Sequence, residues 1–312
     1  MTRDVAAIIP THNRPGLALG AVRSALRQTY EGIDVWVVDD ASDPPLRLPE
    51  PIASDERVHV MRCSKPVGTA GARNLAARES GAQFLAFLDD DDEWFPSKIT
   101  RQLAVLSDDL AAVECGFDLR EGDELIFRYL PSPERDFFRF LMVPCMQPST
   151  LILRSHVFDE LGGFSQDLVR TEDWDFSIRL AERYKVGVVS DSLVMRRTNP
   201  GLDRAAALTA HREMVNHLRP RVNALPARER KATLAYHRFV EGIFLAEMGN
   251  SSEARGAFWQ ALRADARAYA PAVHLIRTVV GERAWSSLRG RLRRIESAIQ
   301  LRRGRDPLVR SW

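Results

Sequence analysis

Strand-like apolar runs alternate with stretches of helical spacing from Val5 to Asp89, and no other feature limits the fold of this chain as tightly. Residues 5–11 (VAAIIPT), 33–40 (IDVWVVDD), 58–63 and 84–89 read as strands. The turn signal His12-Asn13-Arg14-Pro15-Gly16 opens a helical pattern that runs through Gln28, and 68–80 has the same texture. Strands separated by helices pair in parallel through right-handed crossovers. The expected architecture is therefore α/β, a Rossmann-like and mostly parallel sheet with helices on both faces.

The fourth strand ends abruptly in four aspartates, FLAFLDDDDEW over 84–94. Four like charges in a row repel one another unless they face water, a cation or cationic side chains. At the carboxyl edge of a parallel sheet, where ligands of open α/β sheets bind, hard carboxylate oxygens suit Mg2+ or Mn2+ carrying a diphosphate. Other aspartate motifs fail in detail. An EF-hand needs glycine where Trp94 stands, and a phosphoaspartate motif needs threonine where Glu93 stands. Neither GxGxxG nor a Walker A loop occurs, so phosphates are expected on a metal and not in a glycine cradle.

Further along, two strand-like runs fall between Ala111 and Leu130, a helix near 134–142, a strand at 149–155, a Gly-Gly turn at 161–164 and a helix at 172–183. Strands at 186–190 and 193–197 close the α/β part. After Asn199-Pro200-Gly201 the texture turns to alanine-rich helices, which sets the expected domains at 1–200 and 201–312.

Charge is uneven. Residues 281–312 carry nine arginines against three acids, while the rest of the chain is net acidic, so the overall +2 gives no nucleic-acid footprint. Within that tail Trp285, Leu288, Leu292, Ile295 and Ile299 recur at three- and four-residue steps, an apolar stripe with basic flanks. Peripheral contact with anionic lipid and docking on the protein body both require such a stripe. Cys63, Cys115 and Cys145 are odd in number and lack CxxC spacing, so neither a disulfide framework nor a zinc site is expected. A strand begins almost at once, without a signal segment, and no window approaches 18 apolar residues. A cytoplasmic protein is expected, with its membrane contact at most peripheral.

The motifs come in a telling order: IIPTHNRP, VVDDAS, GTAGARNLA, FLDDDDEW, then GGF before TEDWDF. Over about the first 200 residues the chain resembles a family 2 glycosyltransferase of the GT-A fold. The resemblance implies a metal-dependent, inverting transfer of one sugar from a nucleotide-diphosphate donor, a UDP-sugar first, to a glycan, lipid-linked or protein acceptor. It implies Thr11, Asn13, Arg14 and Asp40 as contacts to base and ribose; Asp39, by its own side-chain chemistry, is expected to cap a turn beside Ser42. Arg73 would meet the base or position the aspartates, and Gly71 would let a ligand approach the backbone. The DXD motif maps onto Asp89, Asp90 and Asp91, with Asp89 toward the ribose and Asp91 on the metal. Asp92 is either an alternative ligand or an acid ahead of a helix. Asp173 would be the general base, with Glu172 helping to orient base or acceptor, while the i,i+4 spacing by itself pairs Asp175 with Arg179. Two departures stand out. VMRRTNPG (194–201) lacks a histidine that some relatives use as a metal ligand, leaving Arg196, Arg197 and Thr198 to meet the diphosphate, and the QxxRW motif of processive synthases is absent. A catalytically silent nucleotide-sugar or partner-binding module on the same fold is the competing reading.

In the helical region, 235–266 resembles one tetratricopeptide-like helix pair, with Gly242, Leu245, Gly249, Ala254, Phe258 and Ala261 at suitable spacing. A lone pair cannot cover its own apolar face. Phe244, Phe258 and Trp259 are expected to pack on the catalytic domain or a partner.

Overall fold

The computed structural model describes residues 3–133, 137–142, 146–198, 201 and 203–265. It divides into two compact units, Met1–Gly201 and Leu202–Trp312. The arginine-rich stretch 281–312, its apolar stripe and Cys145 lie outside the described residues, as does part of the helix expected at 134–142.

The first unit begins with the expected alternation: β1 (Val5–Thr11), α1 (Pro15–Leu26), β2 (Ile33–Asp39), β3 (Val58–Arg62), α2 (Gly68–Ser80) and β4 (Phe84–Phe87). Then come β5 (Glu93–Trp94), α3 (Lys98–Val105), β6 (Ala112–Glu121), β7 (Glu124–Tyr129), α4 (Phe137–Phe140), β8 (Leu151–Arg154), α5 (Ser155–Glu160), α6 (Glu172–Arg183) and β9 (Val186–Arg197). The sequence pattern did not mark β5, α3 or α5. The two strands expected after Lys185 are one, β9. Its register against β6 jumps from Cys115↔Val189 to Gly116↔Ser192, a bulge that breaks the alternation and reads as an interruption. Gly116 permits it, because a Cβ there would sit 2.9 Å from Asp191 O and 2.4 Å from Tyr129 O.

The strands form one sheet in the order β3-β2-β1-β4-β8-β6-β9-β5, with β7 paired to β6. β1 to β4, β6 and β9 run one way, and β5, β7 and β8 the other. Every residue of β1 is buried, which explains its unbroken apolar run and its place at the centre of the parallel half. One face of the sheet (Val5, Ala7, Ile9, Val35, Ala86, Leu88) packs on Ala21, Val22 and Ala25 of α1 and Ile99 of α3. The other carries Phe87, which meets Phe158 of α5 and Phe164, with Phe176 of α6 behind them. Each valine, leucine, isoleucine or phenylalanine among them contributes about 1.5–3 kcal/mol when fully buried. The core therefore fixes the carboxyl ends of β1, β2 and β4 side by side, where the polar residues begin.

The second unit contains α7 (Arg204–Ala224), α8 (Ala227–Glu247) and α9 (Ser251–Ala264). Asp203 caps α7 by accepting from the Ala205 and Ala206 N–H groups. α8 and α9 form the expected helix pair, turning at Gly249 with φ of 82°. The expectation for their apolar face needs correction. Phe258 and Phe244 pack with Leu208 of α7, Phe239 and Leu245, so α7 acts as a third helix that closes this small core. Trp259 points away and is 57% exposed. No described helix is long and apolar enough to cross a membrane.

Candidate active site

The four aspartates occupy one tight turn, closed by the Asp92 N–H donating to the Asp89 carbonyl at 3.1 Å. The turn directs alternate side chains to different surroundings. Asp90 and Asp92 are buried, while Asp89 and Asp91 are half-buried. Repulsion within the run is met by arginines from three separate elements. Arg14, at the entry to α1, lies 2.6 Å from Asp90 and 3.2 Å from Asp91. Arg73 of α2 pairs with Asp89, and Arg196 of β9 lies 3.3 Å from Asp92. Thr11 Oγ1 also donates to Asp90 Oδ2 at 2.7 Å. Burial pushes the Asp90 carboxyl up to about 6 despite these partners. Asp92 is raised as well, by burial first and then by Asp89 and Asp91, against the pull of Arg196.

Arg73 joins this turn to the second acidic motif. Its side chain is buried over the Phe164 ring, with Nη2 on Asp89 and Nη1 donating to Glu172 Oε1 at 3.0 Å. Glu172 and Asp173 open α6, where acids complement the helix dipole, and the Trp174 N–H donates to Asp173 Oδ1 at 2.8 Å. Burial and the neighbouring Glu172 raise the Asp173 carboxyl above the usual carboxylate range, with Arg73 opposing them. Asp175 pairs with Arg179 at 2.7 Å, as the i,i+4 spacing implies.

The remaining expected contacts form the wall beside Thr11. Asn13, at φ of 57°, staples two loops: its N–H donates to Ser42 Oγ, and its Oδ1 accepts from the Asp43 N–H, both at 2.8 Å. Asp39 caps its turn by accepting from Ser42 and Leu46 N–H groups and pairs with Arg62. Asp40 accepts from the Val67 and Gly68 N–H groups at 2.7 and 2.9 Å, holding the start of α2, and the Cys63 thiol also hydrogen-bonds to this carboxylate. Gly71 serves packing at close range, since a Cβ there would lie 2.9 Å from Val67 Cβ and 3.3 Å from Gln166 Oε1.

Three residues at the site were not singled out by the sequence. Ser149 Oγ accepts the Asp89 N–H at 3.1 Å, Phe164 lies under Arg73, and Asn74 grips both the N–H and the carbonyl of Phe164. The motifs GTAGARNLA and GGF contain Asn74 and Phe164 without showing what they do; nothing local to PST marked Ser149. Of the three residues offered as diphosphate partners, Arg196 faces the aspartate turn. Arg197 pairs with Glu93 at 2.7 Å, and the Thr198 N–H donates to the Arg120 carbonyl.

One oxygen from each of Asp89, Asp91 and Asp92 lies within 4.8 Å of the others. Three hard oxygen donors at that spacing fit Mg2+ or Mn2+, and the fit brings in Asp89 and Asp92 beside the expected ligand Asp91.

Residues 6–162 match the model for glycosyl transferase family 2. The chain belongs to this family. Among curated relatives, the Escherichia coli UDP-Glc:alpha-D-GlcNAc-diphosphoundecaprenol beta-1,3-glucosyltransferase WfgD is 26% identical over 171 residues, which is 54% of this chain and 66% of WfgD. The chain thus spans less than two thirds of that relative's length. Two solved structures share the GT-A fold of this family member. Staphylococcus aureus TarS 1-349 in complex with UDP superposes with a TM-score of 0.59 at 20% identity, covering 85% of this chain and 83% of that one. The mannosyltransferase PcManGT from Pyrobaculum calidifontis, in complex with GDP-Man and Mn2+, gives 0.57 at 19% identity over 96% and 87%.

Proposed function

We propose that residues 1–200 form a catalytic domain that transfers one sugar, with inversion, from a nucleoside-diphosphate sugar to an acceptor hydroxyl. The observation that carries this reading is the Arg73 bridge, which places the aspartate turn and the Glu172–Asp173 pair at one sheet edge. Asp173 takes the acceptor's proton as the hydroxyl attacks the anomeric carbon, and its raised proton affinity suits it to that task near neutral pH. Glu172 is held by Arg73 and orients the base or the acceptor. A Mg2+ or Mn2+ ion on Asp91, with Asp89 and Asp92 in reach, would supply charge to the leaving diphosphate. Arg14 and Arg196 add fixed positive charge on either side of the turn, and Thr11, Asn13 and Asp40 line the approach of base and ribose. No covalent nucleophile is needed for a single in-line displacement.

A UDP-sugar is the donor expected first, in line with the UDP complex of TarS and the printed activity of WfgD. A lipid-linked acceptor follows the second of these names, and it suits a cytoplasmic enzyme whose arginine-rich residues 281–312 touch anionic lipid. Calorimetric titration of UDP and GDP with Mn2+, repeated with chelator, tests the donor half. Metal-dependent binding that is lost in Asp91→Asn while the fold is retained is the expected result. Equal affinity with and without chelator would exclude the metal role.

A further inference from the structure

Lys98, in the first turn of α3, is fully buried. Its Nζ donates to Gln102 Oε1 at 2.7 Å and lies 4.3 Å from the centre of the Trp94 ring. Among the described residues no carboxylate offsets its charge; burial pulls the ammonium down to about 8, and the one ionisable group that acts on it is the Cys115 thiol. An ammonium without a counter-ion in a packed core costs several kcal/mol that a methionine of similar length does not. The surrounding Trp94, Ile99, Val113 and Cys115 belong to the main apolar core and need no charge among them.

What the ammonium supplies is a fixed amide. With Oε1 taken by Nζ, Gln102 must aim Nε2 outward, and it donates to the carbonyls of Val113 and Thr150, both at 2.8 Å. Thr150 belongs to the single turn Pro148–Thr150 ahead of β8. The same turn is held by Trp94 Nε1, which donates to the Ser149 carbonyl at 2.9 Å. Ser149 in turn offers Oγ to the Asp89 N–H. The chain therefore leaves Asp89, passes through the aspartate turn to Trp94, Lys98 and Gln102, and is returned by hydrogen bonds to the backbone of Asp89.

We infer that Lys98 is a positioning residue for nucleotide-sugar binding: through Gln102 and the Ser149–Thr150 turn it fixes the backbone of the four-aspartate turn. The inference rests on the glycosyl-transfer reading above and adds to it a residue that touches neither metal nor donor. Stability is spent on a buried charge, and what returns is the geometry of Asp89.

Amide hydrogen exchange on the full chain reads the structural half without any ligand. In Lys98→Met, segments 88–95 and 147–151 should exchange about tenfold faster, the loss of roughly one hydrogen bond, while β1 to β3 and the thermal midpoint stay at or above wild-type values. Gln102→Glu gives the ammonium a counter-ion but withdraws both N–H donors, so it should loosen the same two segments. Titration with UDP and Mn2+ should show about tenfold weaker binding in both variants. Unchanged exchange at both segments in Lys98→Met overturns the inference whatever the nucleotide does. So does loosening spread over the whole sheet with a lowered midpoint, since that marks an ordinary core residue. If the exchange signature holds and the wild-type protein binds neither UDP nor GDP, Lys98 still positions the aspartate turn, and the link to nucleotide-sugar binding falls with the glycosyl-transfer reading.

Discussion

Arg73 and Glu172 are 99 residues apart in the chain and 3.0 Å apart in space. The contact joins the second turn of α2 to the first turn of α6, and the other end of the same guanidinium reaches Asp89. One buried cation therefore answers to both acidic motifs, with Asp173 also within its electrostatic reach. Burial alone would make the guanidinium easier to deprotonate; Asp89, Glu172 and Asp173 together more than reverse this.

Removing that cation should expose the cost of the carboxylates. Arg73→Met is expected to lower stability at pH 7 by about 3–5 kcal/mol, as for other broken buried ion pairs. Urea denaturation measures it, and the deficit should shrink toward pH 5, where the raised Asp173, one of the carboxylates that Arg73 offsets, takes up a proton. A loss below about 1 kcal/mol would show that water already screens the pair.

Asp173→Asn should abolish turnover and spare donor binding. Asparagine keeps the shape but cannot accept the proton, so the loss falls on kcat, by about 100- to 10,000-fold. Because the wild-type carboxyl is raised, the acid limb of the rate profile should lie above the ordinary carboxylate range near 4. Activity should climb with pH through that limb, as the base must be ionised to act.

Asp90 gives a signed effect on stability. Its pKa is about 6 in the fold against 3.8 outside it, so its contribution is complete below about 4 and lost as pH rises through about 6. Asp90→Asn should remove this dependence, and comparison with wild type cancels other titrating groups such as His211, whose lowered pKa acts in the opposite sense. The difference between the two proteins should change by up to about 3 kcal/mol between pH 4 and pH 8. Parallel urea curves across that range would place the buried proton elsewhere.

Two glycines of the helical unit should respond oppositely to alanine. A Cβ at Gly242 would fall 2.4 Å from Phe258 Cε1, so Gly242→Ala should cost about 1–3 kcal/mol through overpacking. Gly256 in α9 has open space around it, and Gly256→Ala should gain about 0.5–1 kcal/mol. Thermal melting distinguishes the two directly.

The alternation of strands and helices was legible in the sequence because periodicity is a local property, imposed by which side of each element meets the core. The motifs likewise marked the two acidic clusters and the arginine between them. Where the pattern failed, non-local contacts were responsible. β5 has only two residues and exists through its pairing with β9, and β9 reads as two strands because its bulge lies opposite Gly116. Lys98 and Gln102 resemble ordinary surface residues of a short helix until the fold places Thr150 and Val113 against them. The sequence determined which chemical groups this protein possesses. Only the tertiary structure decided which arginine answers which aspartate, because the partners of Asp89, Asp90 and Asp92 come from α2, the entry of α1 and β9, and sequence spacing does not encode a distance that the sheet alone sets.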